Sequence, residues 1–96
     1  MTDAPRLPAE LSLPTVAQVR GDLLAWLDAA PADGPLRVDA QRVDEVDAAG
    51  VQLLLSLAAS LAARGRSLRL VAPSAPLVSA CQALGAGGLV TDQEPS

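Results

Sequence analysis

The sequence reads as one small α/β domain, and three observations predict it. Segments of period two alternate with segments of helical period in the order β-α-β-α-β-α. The chain has 96 residues, enough for one compact core and too few for two. Half the residues are apolar and Trp26 is the only aromatic, so the core must be aliphatic and rich in alanine. Helices placed between strands imply parallel pairing through right-handed crossovers. Helices of this number can cover one face of a four-stranded sheet or wrap both.

Residues 7–13 alternate, with Leu7, Ala9, Leu11 and Leu13 on one side and Pro8, Glu10 and Ser12 on the other. This is the pattern of a half-buried strand, with Pro8 suited to an early or edge position. Pro14 ends it, and Thr15 and Gln18 form a T-x-x-Q capping box. The helix that follows runs to about Ala30. Its stripe is Val16, Val19, Leu23, Trp26, Leu27 and Ala30 at helical spacing. Gly21 is its weak point, costing about 1 kcal/mol relative to alanine. Residues 31–35 make a Pro/Gly turn.

Residues 36–40 read as a short strand with Leu36, Val38 and Ala40 pointing one way. Val43 and Val46 then lead inward to a helix over about 48–64, stopped by Gly65. Its core stripe is Val51, Leu54, Ala58, Leu61 and Ala62. Leu57 lies inside the stripe, and Leu53 and Leu55 lie at its two edges. A further strand spans 67–72, with Leu68, Leu70 and Ala72 against Arg69 and Val71. Ser74 caps a third helix, with Pro76 in its first turn and Leu77, Val78, Cys81 and Leu84 on its buried face. Gly85 terminates that helix, Gly87 and Gly88 form a turn, and Leu89 and Val90 are expected to pair briefly with the sheet. The domain is expected to span 7–90, with loose ends at 1–6 and 91–96.

Charge and composition exclude several functions. All seven basic residues are arginines and there are eleven acids, giving a formal charge of −4. The closest arginines, Arg64, Arg66 and Arg69, build no basic patch, so nucleic-acid binding is not expected and the arginines read as solvated surface. Cys81 is the only cysteine and occupies an apolar helical position, the place of a small core residue rather than a reactive thiol. No intrachain disulfide can form, which suits a reducing compartment. No segment approaches the ~20 apolar residues a membrane helix needs, and residues 1–8 lack a signal peptide's apolar centre. These readings point to a cytoplasmic protein without direct membrane insertion.

With no histidine, the chain offers neither a Ser-His or Cys-His pair nor a zinc site. No Gly-Lys-Ser/Thr loop is present. The acids Asp39, Asp44, Glu45 and Asp47 invite comparison with a receiver-type Mg²⁺ site, but that chemistry also needs a lysine, and the chain has none. No enzyme activity, metal or cofactor is expected.

The informative segment is 38–57, V-D-A-Q-R-V-D-E-V-D-A-A-G-V-Q-L-L-L-S-L. Asp39, Val43, Val46, Asp47, Gly50 and the run Leu53, Leu54, Leu55 fit an apolar strand with Asp near its end, a short loop, an Asp-x-x-Gly motif and a Leu-rich helix. The segment L-P-A-E-L-S-L at 7–13 fits the strand before the first helix. In these features the chain resembles the STAS domain family over roughly 7–90. The resemblance is nearest to anti-sigma-factor antagonists and to the short STAS proteins associated with bacterial chemotaxis. It implies a four-stranded mixed sheet with three to four helices mainly on one side, and an antiparallel N-terminal strand in place of the usual first hairpin.

The resemblance also implies a non-enzymatic module that docks on a protein partner through Asp47, Ala48, Ala49, Gly50, Gln52, Leu53 and Ser56. The partner would be an anti-sigma kinase or a chemotaxis protein, and the module a monomer or weak homodimer. The alternative is an accessory subunit of a lipid-transporting ABC complex, bound to its ATPase. Phosphorylation-regulated members carry Ser or Thr directly after the motif Asp. Ala48 stands there, followed by Ala49, so the roughly −1.5 to −2 charge of a phosphate cannot be added at the motif. Ser56 and Ser60 lie on the polar side of the same helix.

The residues themselves leave two points open. Asp47 can cap the helix or meet a partner. Gly50 can admit a partner's close approach or serve tight internal packing. The apolar arc of the helix is roughly 200° wide, about twice what a one-sided helix needs, so part of it either stays at the surface as a binding rim or is covered by neighbours.

Overall fold

The computed structural model describes residues 5–29 and 34–91. Residues 1–4, Ala30, the turn residues 31–33 and the tail 92–96 lie outside that description. The elements are β1 (Glu10–Leu11), α1 (Val16–Ala29), β2 (Leu36–Asp39), β3 (Glu45–Val46), α2 (Ala48–Ala62), β4 (Leu68–Val71), α3 (Ala75–Ala83) and α4 (Gly88–Thr91).

The strands form two parallel pairs, β1 with β3 and β2 with β4. This corrects the expectation of one four-stranded mixed sheet with an antiparallel first strand. Helical crossovers stand between β1 and β2 and between β3 and β4, and such connections return the chain parallel, whereas an antiparallel neighbour is normally reached through a hairpin. A parallel bridge between Arg6 and Asp39 joins the two pairs. Residue 39 sits opposite 6 but 45 sits opposite 10, so the 36–46 segment carries two extra residues that interrupt the ladder. The Asp39 amide donates to Pro5 O at 2.7 Å, while the Leu36 and Ala40 amides donate to Ser67 and Val71 carbonyls. β2 therefore lies between the N-terminal segment and β4.

One face of these strands is buried, through Leu7, Leu11, Leu36, Val38, Ala40 and Leu70. α2 packs on it with Val51, Leu54, Leu57 and Leu61, α1 adds Val19, Leu23 and Leu27, and α3 adds Leu77 and Cys81. Each fully buried leucine contributes about 1.5–3 kcal/mol by leaving water. Burial also pushes the Cys81 thiol up from its ordinary pKa, which keeps it unreactive at neutral pH.

The strand expected over 7–13 is shorter than its alternation suggests. Leu7 and Leu11 are buried, but Ala9 is exposed and Leu13 is 70% exposed. The chain turns at 12–15, where the Thr15 and Val16 amides donate to Ser12 O at 2.9 and 3.0 Å. The Thr15 hydroxyl accepts from the Ser12 amide at 3.1 Å and lies 3.0 Å from Glu10 O. Its contacts tie β1 to α1, where the sequence suggested a capping box with Gln18.

Other expectations are corrected as well. Leu89 and Val90 sit in α4 rather than a strand, because Ala86 and Gly87 carbonyls accept their amides in helical turns. Ala62 is exposed at the end of α2, and Leu84 is 51% exposed where α3 stops at its C-cap. Arg66 is not solvated surface: it is buried, and its Nε donates to Gly34 O at 2.8 Å. Parallel pairing of Leu36 with Leu68 brings those two loops together, a contact with no local signal. Ser74 caps α3 as expected, accepting from the Leu77 amide at 3.3 Å.

Two glycines in helices have opposite meanings. A Cβ built at Gly21 meets nothing within 4 Å, whereas one at Gly50 would lie 2.1 Å from Leu11 O. α2 thus lies against the backbone of β1 itself. Gly21→Ala should raise stability by about 0.5–1 kcal/mol. Gly50→Ala should lower it by about 3 kcal/mol, since backbone rather than a flexible side chain must move. Thermal denaturation of the two variants checks both signs.

Candidate functional site

The residues singled out from the sequence gather at the N-terminus of α2 and along its outward side. Asp47 is the N-cap, in extended conformation, and its Oδ1 accepts from the Gly50 amide at 3.1 Å. Aspartate suits this position because the first amides of a helix have no partner of their own. The other carboxylate oxygen, Oδ2, accepts from the Leu13 amide at 3.0 Å. One exposed side chain therefore joins α2 to the loop between β1 and α1. The Asp47 amide completes the link by donating to Leu11 O at 3.3 Å.

These bonds favour the carboxylate. The Leu13 amide first, then the Gly50 amide, hold the Asp47 carboxyl below its ordinary range, against a smaller opposing effect of desolvation.

Gly50 is buried beneath Leu11, so its missing side chain serves internal packing. Ala48, Gln52 and Ser56 are exposed, and Ala49 and Leu53 are half-buried. The apolar arc is covered only in part: Leu55 stays 38% exposed. Leu53, Ser56, Leu57 and Ser60 line a small groove of about 80 Å³ together with Arg20, Leu23 and Leu24 of α1. The site is thus a shallow surface strip without a deep cavity.

The strip also includes residues that the sequence pattern hid. Leu13 was assigned to the buried side of a strand, and its link to Asp47 spans 34 residues, so no periodicity points to it. Leu24, 41% exposed at the groove, was outside the predicted core stripe of α1, which is the available signal for it.

A larger open concavity of about 440 Å³ lies elsewhere, along the edge of β1 and the first turns of α1, and none of the sequence-predicted site residues lines it. Arg6, Arg42, Glu10 and Asp22 border it, so both charge signs face the same space. Among the described residues, no group of three or more His, Cys, Asp or Glu could hold a metal ion, and no helix is long and apolar enough to cross a membrane.

The family model described as Mlab, STAS domain matches residues 4–91. No curated protein matches the chain, and no solved structure does.

The Asp47 bonds make stability pH-dependent with a definite sign. A lowered folded-state pKa means that the contribution is complete above the ordinary carboxylate value, about 4, and is lost as pH falls through the lowered one. The melting-temperature difference between wild type and Asp47→Asn should be constant from neutral pH down to about pH 4 and shrink below it. Thermal melts across pH 2–7 measure this.

Proposed function

Since the chain belongs to the STAS domain family, we propose that it is a non-enzymatic docking module that regulates a signalling protein. The binding surface is the start and outward side of α2: Asp47, Ala48, Ala49, Gln52, Leu53 and Ser56, with Gly50 shaping the turn from below. The carrying observation is that this strip is ordered yet uncovered. Asp47 is tied by two amides, Ala48, Gln52 and Ser56 are exposed, and Leu55 keeps 38% of its surface in water. A partner that covers such a strip gains apolar burial without having to order it first. The partner is an anti-sigma kinase or a chemotaxis protein.

Ala48 favours a second reading. The first helical position has no hydroxyl, and neither does Ala49, so no phosphate can switch docking there. Permanent docking suits an accessory subunit of a lipid-transporting ABC complex, seated on its ATPase. Partner identity separates the readings: a kinase-type ATPase fold supports the first and an ABC ATPase the second.

Gln52→Arg and Ser56→Glu test the surface. Each should weaken partner binding about tenfold or more while changing the melting temperature little, because both residues are exposed. Binding by both variants at wild-type strength would remove α2 from the interface. Mass spectrometry after kinase treatment should find no phosphate on residues 47–50.

A further inference from the structure

The bonds that tie residues 5–11 to the 39–47 segment come from odd positions. The Leu7 amide donates to Asp39 O, Pro5 O accepts from the Asp39 amide, Ala9 O accepts from the Asp44 and Glu45 amides, and Leu11 O accepts from the Asp47 amide. Successive residues of a strand aim their N–H and C=O groups to opposite sides, so residues 6, 8 and 10 direct theirs to the other edge. Among the described residues no strand pairs with that edge. The open concavity of about 440 Å³ runs along it, between residues 6–10 and the first turns of α1.

An unpaired edge is a template for another strand. This one is self-complementary. A second copy laid antiparallel and centred on residue 8 sets Arg6 against Glu10 and Glu10 against Arg6. Amides and carbonyls of those residues then face each other in both halves, with opposite charges directly across the pair. At the centre Pro8 meets Pro8. Proline has no N–H to donate, and its ring fills the space where a neighbouring strand would lie. Beyond Glu10 the edge is closed from within: the Thr15 hydroxyl lies 3.0 Å from Glu10 O and accepts from the Ser12 amide at 3.1 Å.

We propose that Pro8 keeps the open edge of β1 from joining the same edge of a second copy, so that the domain does not associate through its sheet. Pro8 acts on association more than on folding. Its side chain is exposed, and its nitrogen points away from the strand that β1 pairs with. The role is separate from docking through α2 and uses none of that surface.

The test compares the full chain as wild type, Pro8→Thr and Pro8→Ala by sedimentation over a range of concentrations and by amide hydrogen exchange. In wild type the Arg6 and Glu10 amides should exchange fast and the Leu7 amide slowly. Threonine supplies the N–H and suits a strand. Pro8→Thr should therefore self-associate about tenfold or more tightly than wild type and protect the Arg6 and Glu10 amides. Pro8→Ala, which restores the N–H with the smallest side chain, should shift both in the same direction. Adding Glu10→Arg to Pro8→Thr sets arginine against arginine and should return association to the wild-type level. Adding Arg6→Glu as well restores opposite charges and should restore association.

Slow exchange at Arg6 and Glu10 in wild type means a covered edge and overturns the proposal. So do Pro8→Thr and Pro8→Ala that fold and sediment like wild type. Association of Pro8→Thr that leaves the Arg6 and Glu10 amides unprotected, or that ignores the charge exchange, places the contact elsewhere and also overturns it. Loss of partner binding by Gln52→Arg is a separate readout, so failure here leaves the docking reading intact.

Discussion

The first turn of α2 touches the backbone of β1, and the rest of the structure is arranged around that contact. At Gly50 there is no room for even a methyl group, since Leu11 O occupies the space. Close approach lets three backbone-level links form in one place: the Asp47 amide on Leu11 O, the Asp47 carboxylate on the Gly50 amide, and the same carboxylate on the Leu13 amide. Helix start, strand end and the loop to α1 are thereby one unit. A helix held a few ångströms farther from the strand would lose these short bonds and open a gap above Leu7 and Leu11.

That constraint explains the character of the surface. Leu54, Leu57 and Leu61 face inward once the helix start is pinned, and the helical period then turns Ala48, Gln52, Leu55 and Ser56 outward. The apolar arc of α2 is wider than the sheet and α1 can cover, which leaves Leu55 partly in water. Small side chains at 48 and 49 keep the strip low, and Leu13 rises beside it. The resulting surface is shallow, with exposed Asp44, Glu45 and Asp47 at one end. The open concavity beside β1 belongs to a different corner, where arginines and carboxylates share the space.

Much of the fold was legible from local pattern. The first three helices begin and end near their expected positions, because glycine stops, the Ser74 cap and the aliphatic stripes report nearest-neighbour physics. The motif segment was legible for the same reason: Asp47 and Gly50 stand at cap spacing before a leucine-rich helix. Strand architecture was less so. Alternation in 7–13 marked Leu7 and Leu11 correctly, but it could not reveal that the chain leaves the strand after Leu11. Burial of Arg66 against Gly34 and exposure of Leu13 depend on which loops the parallel pairing places side by side.

The sequence alone determined the α/β class, the aliphatic core, the absence of histidine and lysine, and the lack of a hydroxyl at 48 and 49, all properties of composition and short spacing. It also carried the family resemblance over most of the chain. Tertiary structure decided between the two readings of Gly50, in favour of internal packing, and gave Asp47 a second bond 34 residues away. It decided the strand pairing as well, and which edge of the α2 arc stays in water. These outcomes depend on contacts between segments far apart in the chain, and a periodic pattern reports only which face of an element is apolar, never what that face meets.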